Sequence, residues 1–228
     1  MTSRRRALAG LLVLALGACH SEGEPIAQRG DVFLELDGMA FRRAELAPFL
    51  AYYDRVNRRV GRNTRIQVIL DMHLIPRQLA RRAFAEERRA LQESCEALHR
   101  VVGNGGYPEL VAKGKAVPGA ELQVVERSDL PLAVAAYAFR DEAIGVLSPV
   151  IETPQGFCLV SVREHHRGTL TTLDTAELFL VPFYTHDAAA FEAWLQQARA
   201  EVAGALDWVH PDEAEALPPW LNDKDGDR

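Results

Sequence analysis

The stretch from Arg127 to Val162, RSDLPLAVAAYAFRDEAIGVLSPVIETPQGFCLVSV, constrains this chain most, because several element signals crowd into 36 residues. Leu130, Val134, Tyr137 and Ala138 recur at helical spacing and end near Phe139. A charged turn follows, and Val146 to Ile151 is an extended segment interrupted by Pro149. Thr153-Pro154-Gln155-Gly156 supplies turn residues, and Phe157 to Val162 is a short apolar strand. Helix, loop, strand, turn and strand thus follow one another with almost no chain to spare.

Ahead of this stretch, Val32 to Leu36 alternates into Asp37-Gly38, a strand and a turn. Leu46, Phe49, Leu50, Tyr53 and Val56 then fall at helical spacing. Thr64-Arg65-Ile66-Gln67 fits a capping box and opens a helix carrying Ile66, Ile69, Leu70, Leu74, Leu79 and Ala83. Pro76 is expected to kink that helix or end its first half. Leu91, Cys95, Leu98, Val101 and Val102 continue the helical period to a stop at Gly103-Asn104-Gly105-Gly106, and Tyr107 to Ala112 forms a second short helix. Behind the stretch, Ala176 to Phe183 is an apolar extended run. A helix from about Asp187 to Val202 follows, with Phe191, Trp194, Leu195 and Ala198 on one face. Residues 205–228 are rich in Asp, Glu and Pro and are expected to be a disordered acidic tail, in which Trp220 could dock locally.

A chain of 228 residues has room for one compact domain or two small ones. No apolar run reaches the 18 residues of a spanning helix. Arg4-Arg5-Arg6, the apolar run Ala7 to Gly17, and the small residues before Cys19 make a secretory signal. Removing residues 1–18 leaves 23 basic against 32 acidic residues, a formal charge of −9. So acidic a chain is a poor nucleic-acid partner, since phosphate contacts depend on Lys and Arg. Beyond Cys19 two cysteines remain, Cys95 and Cys158, and export makes a disulfide possible without settling its geometry. CxxC, HExxH and other ligand spacings are missing, so neither a metal site nor a cofactor is expected.

Two resemblances add to this. Leu16-Gly17-Ala18-Cys19 resembles a bacterial lipobox, which implies acylation of Cys19, a polar tether over 19–30 and a membrane anchor. His20 in place of Asp resembles outer-membrane sorting, facing the periplasm. Within the central stretch, Leu130-Pro131, Ala138-Phe139, Leu147-Ser148-Pro149-Val150, Thr153 and Gly156-Phe157, ending at Val162, resemble the C-terminal half of a parvulin domain. That domain is the peptidyl-prolyl isomerase module of SurA- and PpiC-type periplasmic folding factors. Gly119 to Arg127 resembles another motif of the family, and VFLELDGMAFRRAEL resembles the opening of a SurA-type N-domain, with Arg42 where a capping hydroxyl is usual. The implied fold class is α+β, a helical SurA-like N-domain over 31–85 followed over 86–168 by a small parvulin-like antiparallel sheet with flanking helices. The strand and helix of 169–204 either complete that sheet by a permuted route or close back on the N-domain, and the second is favoured.

Parvulins rotate an X-Pro bond against a barrier of about 18–20 kcal/mol, without a covalent intermediate, by gripping the prolyl ring and favouring the twisted amide. The family pocket has two histidines on central strands, a nearby Cys or Asp, and apolar walls. Carried over residue by residue, the strand histidine falls at Cys158. The other falls at Leu178 if the 176–183 run replaces the missing first strand. Walls fall at Leu122, Val125, Leu130 and Val134, and Phe139 keeps the family aromatic. His73 lies in a helical pattern, and His165 and His166 at a strand end are expected to be solvated. No confident catalytic residue emerges. The implied function is an isomerase or chaperone for unfolded or proline-containing envelope polypeptides. The alternatives are an inactive chaperone on the same scaffold and an accessory lipoprotein of a secretion or envelope complex.

Overall fold

A computed structural model describes residues 30–169 and 173–222. The signal segment 1–18, the lipidation residue Cys19 and nearly all of the tether lie outside the described residues. No helix among those described is long and apolar enough to cross a membrane.

Asp37 and Gly38 both adopt positive φ, 48° and 71°. They make the two-residue turn between β1 (Val32–Leu36) and β2 (Met39–Arg42) that a right-twisted hairpin requires. The chain passes straight into α1 (Arg43–Val56), where the Glu45 carboxylate accepts the Arg42 N–H at 3.1 Å. That bond supplies the reciprocal half of a capping box without a hydroxyl. The next helix, α2 (Arg62–Ile69), begins two residues before the expected capping box, and Thr64 lies inside it with no capping role. Pro76 does not end the run. A π-helical turn at Leu70–Leu74 absorbs it, and α3 (Ile75–Ala83) carries on. Pro76 has no N–H to give the Met72 carbonyl, so a local i→i+5 register, seen in the Ile75 N–H bond to the Leu70 carbonyl, keeps the helix connected.

These elements form one core: Phe33, Leu34, Leu36 and Phe41 from the hairpin, Leu46 and Phe49 from α1, and Ile66, Ile69, Leu74 and Ile75 from the bent helix. The C-terminal part closes it. Helix α7 (Ala188–Val202), capped by Asp187 accepting from the Ala190 N–H at 2.8 Å, contributes Phe191, Leu195, Ala198 and Val202. Strand β7 (Leu206–Val209) pairs with β1, giving a three-stranded sheet of order β2-β1-β7. The expectation of a disordered tail is therefore corrected for residues 206–222. Leu217 and Leu221 are buried in this core, and the Trp220 indole donates to Asp71 at 3.0 Å. Glu213, 2% exposed, pairs with Arg43 at 2.9 Å and Arg62 at 3.3 Å. Acidic composition signalled disorder, but this acid neutralises arginines of the N-terminal helices, and the apolar residues between the acids dock.

The remaining segments are α4 (Ala85–Val102), α5 (Gly106–Gly114), β3 (Glu121–Glu126), α6 (Leu132–Ala138), β4 (Ile151–Glu152), β5 (Gly156–His166) and β6 (Thr175–Tyr184). They build a four-stranded antiparallel sheet of order β3-β6-β5-β4. The 176–204 region thus divides: β6 pairs between β3 and β5 at the centre of this sheet, while α7 packs in the first core. The favoured expectation, that strand and helix return together to the N-domain, is corrected for the strand. An apolar run buried on both faces is a central strand. Two small antiparallel sheets with packed helices make the class mixed α+β.

Helices α4 and α5 cover one face of the larger sheet, with Cys95, Val102 and Leu110 against Phe157, Leu159, Phe179 and Val181. Helix α6 covers the other, with Val134 and Ala138 against Val125, Cys158, Val160, Val162 and Leu178. The opposite side of α6, Ala135 and Ala136, sits in the first core. Its alanines are what let one short helix be buried between two cores.

Candidate functional site

Strand alternation sets the candidate pocket. Cys158 lies opposite Pro182 and Ile151, Leu178 opposite Val162 and Gln123, and Val125 opposite Ala176, so their side chains share the face beneath α6. Val134 reaches down onto the same cluster, and Leu130 and Phe139 border it. Five of the six candidate wall and centre residues are therefore brought together. Leu122 is not among them: it lies on the other face of β3 and is 50% exposed, so its place in the pocket is corrected. Cys158, Leu178 and Val134 are each fully buried, and their side chains pack together between the strands and α6.

The segment that closes the sheet edge explains the Leu147-Ser148-Pro149-Val150 sequence. Ser148 gives its N–H to the Val160 carbonyl at 2.8 Å and accepts the Val160 N–H on its hydroxyl at 2.9 Å. Side chain and backbone thus serve one strand residue before Pro149, which has no N–H, interrupts the ladder. Thr153 Oγ1 accepts the Gly156 N–H at 3.2 Å and stabilises the turn.

Burial pushes the Cys158 thiol up, with the neighbouring Cys95 adding to it. Burial likewise pushes Cys95 up to about 12, with Glu96 adding to it. Both cysteines are free. Cys95 packs from α4 on the face of Phe157 and Leu159, Cys158 on the face of Ile151 and Val160, so β5 stands between the two thiols. A thiol held neutral and out of water is a poor nucleophile. Neither cysteine should be modified by an alkylating reagent in the native protein, and both should react once denaturant unfolds it; mass spectrometry of labelled samples reads this directly.

Of the six residues, Phe139 borders open space, a cavity of about 530 Å³ that also involves Arg55, Arg127, His165, Arg167 and Asp174. The Arg127 guanidinium lies 4.8 Å from the Phe139 ring centre and bonds Asp174 at 2.6 Å. His165 stacks on Phe139 with ring centroids 5.9 Å apart, and its Nε2 donates to the Ala138 carbonyl at 2.7 Å, tying off the end of α6. The expectation of a solvated His165 is corrected; His166 is exposed, as expected. Periodicity could not reveal this partner, because Ala138 is 27 residues away.

No family model, curated protein or solved structure matches this chain.

Two other clusters hold possible metal ligands among the described residues, Glu164 with His166 and Glu177, and His210 with Asp212 and Glu213. Glu177 is paired with Arg163, Glu213 with Arg43 and Arg62, and the His210 Nδ1 accepts the Asp212 N–H at 3.2 Å. Glu177 and Glu213, one carboxylate of each cluster, are thus already held by arginines. His73, placed by the bent helix against Phe49 with ring centroids 4.5 Å apart, has its pKa pushed down to about 3 by burial, with Arg77 adding to it. It is a neutral core side chain.

Proposed function

We propose that this chain is an exported, lipid-anchored chaperone on a parvulin-like scaffold, which binds unfolded envelope polypeptides without catalysing prolyl isomerisation. The resemblance of the 127–162 stretch supports the scaffold, and so does the sheet order, in which β6 stands where a parvulin domain would have its first strand. One observation carries the choice of binding over turnover. Cys158 and Leu178, at the positions where the family has its histidine pair, are both fully buried under α6. The far side of α6 is pressed into the N-terminal core through Ala135 and Ala136. An X-Pro segment would have to displace that helix to reach the strands, and would meet no group there to favour a twisted amide.

Proline-limited refolding of a model substrate separates binding from catalysis. The expected result is an unchanged slow phase of tens to hundreds of seconds together with suppressed aggregation of an unfolded outer-membrane protein at stoichiometric amounts. Acceleration of the slow phase would restore the isomerase reading. Failure to suppress aggregation would remove the chaperone reading.

A further inference from the structure

The four edge strands of the two sheets are not treated alike. Strand β4 has two residues and follows Pro149, and its Glu152 is held by Arg81 and Arg88. Strands β2 and β7 have four residues each and pair with β1 through register irregularities. Shortness, proline and bulges are the usual ways to keep an edge from recruiting another strand. Strand β3 has none of them. It is six residues long, pairs with β6 in unbroken register, and contains no Pro, Lys or Arg. Among the described residues no strand pairs with its outer side.

Leu122 and Val124 stand on one face of β3, 50% and 64% exposed. The Glu126 N–H is given to Asp129 at 3.1 Å and not to β6. In an antiparallel ladder alternate residues point their backbone groups the same way, so Leu122 and Val124 also direct N–H and C=O outward. Glu121 and Glu126 bracket the strand, while the following Arg127 is turned to Asp174 and the Phe139 ring.

We infer that the outer edge of β3 is the polypeptide-binding site of this protein, taking an extended client segment as an added strand; this rests on the chaperone reading above. Main-chain pairing supplies sequence-tolerant affinity, and Leu122 and Val124 select apolar side chains at alternate positions. The flanking glutamates select Lys or Arg beside the apolar run. A second copy of the chain fits worse, because pairing β3 with itself gathers four glutamates at the ends of one short ladder between two acidic molecules.

The test uses a labelled peptide of alternating Leu and Ser flanked by Lys, and the same peptide N-methylated at alternate amides. The full chain should bind the first, and N-methylation should weaken binding by about tenfold or more. Val124→Pro removes an outward N–H and leaves the β6 ladder intact, and it should cause a similar loss with little change in melting temperature. Val124→Lys provides a second variant that keeps the backbone, and it should also weaken binding. Peptide binding untouched by either variant and by N-methylation overturns the β3 site while leaving the chaperone reading standing. Absence of peptide binding together with absence of aggregation suppression overturns both. A wild-type dimer that Val124→Lys dissolves assigns the edge to a second copy and overturns the client site.

Discussion

Replacing Arg88 by alanine should lower the unfolding free energy by about 3–5 kcal/mol, the scale for removing one partner of a buried ion pair. Arg88, 3% exposed, reaches from α4 to the turn before β5. It donates to the Pro154 carbonyl at 2.7 Å, the Thr153 carbonyl at 3.0 Å and the Glu152 carboxylate at 2.9 Å, and its guanidinium lies 5.3 Å from the Phe157 ring centre. Alanine leaves the Pro154 carbonyl without a donor, the Thr153 carbonyl with only the Gly156 N–H at 3.3 Å, and Glu152 with Arg81 alone. Arg88→Lys should recover only part of the loss, since one ammonium cannot reproduce the planar fork that meets three acceptors. Urea unfolding of the three proteins measures both effects.

The same carboxylate makes part of the stability depend on pH. Burial alone would push Glu152 up, but the hydrogen bonds from Arg81 and Arg88 and the charges of Arg81 and Arg77 outweigh it, and its pKa falls below the ordinary 4.5. A carboxyl depressed in the folded state contributes stability that is fully present above its unfolded value and is lost as pH falls through the folded one. Acid unfolding of wild type should steepen below about pH 4.5, and Glu152→Gln should flatten part of that slope.

Gly156→Ala should cost about 3 kcal/mol, at the upper end for forced overpacking. A Cβ there would stand 2.2 Å from the Phe183 carbonyl oxygen and 3.1 Å from the Tyr184 Cα. Both are backbone atoms of β6, so no rotamer change relieves the clash. The strands must part where Gly156 pairs with Tyr184, beside the Thr185 N–H bond to Gln155. Gly61→Ala is the control, because a Cβ at Gly61 meets nothing within 4 Å. It should change stability by less than about 1 kcal/mol.

Local chemistry was legible wherever one element carried its own signal. Asp37-Gly38 announced the hairpin turn, Asp187 the start of α7, and the spacing of Phe191, Leu195 and Ala198 the face that α7 buries. The candidate pocket was legible in part. Val125, Val134 and Cys158 share one cluster, as the carry-over from the family resemblance implied, but Leu122 faces away because the parity of β3 depends on its register with β6. His165 on the Ala138 carbonyl and Glu213 between Arg43 and Arg62 left no trace in any local pattern, since their partners lie tens to hundreds of residues away.

The sequence by itself determined most of the helices and strands between residues 32 and 202, where most of them turn, and which faces are apolar, because those depend on neighbours within a few residues. The tertiary structure alone decided that β6 enters the middle of the larger sheet, that the acidic tail closes the first core, and that α6 is buried from both sides. Each of these is a choice of partner, made by burial and charge pairing across long separations. The last choice matters most: it covers Cys158 and Leu178 and leaves the edge of β3 as the open surface of this sheet that an extended chain can join.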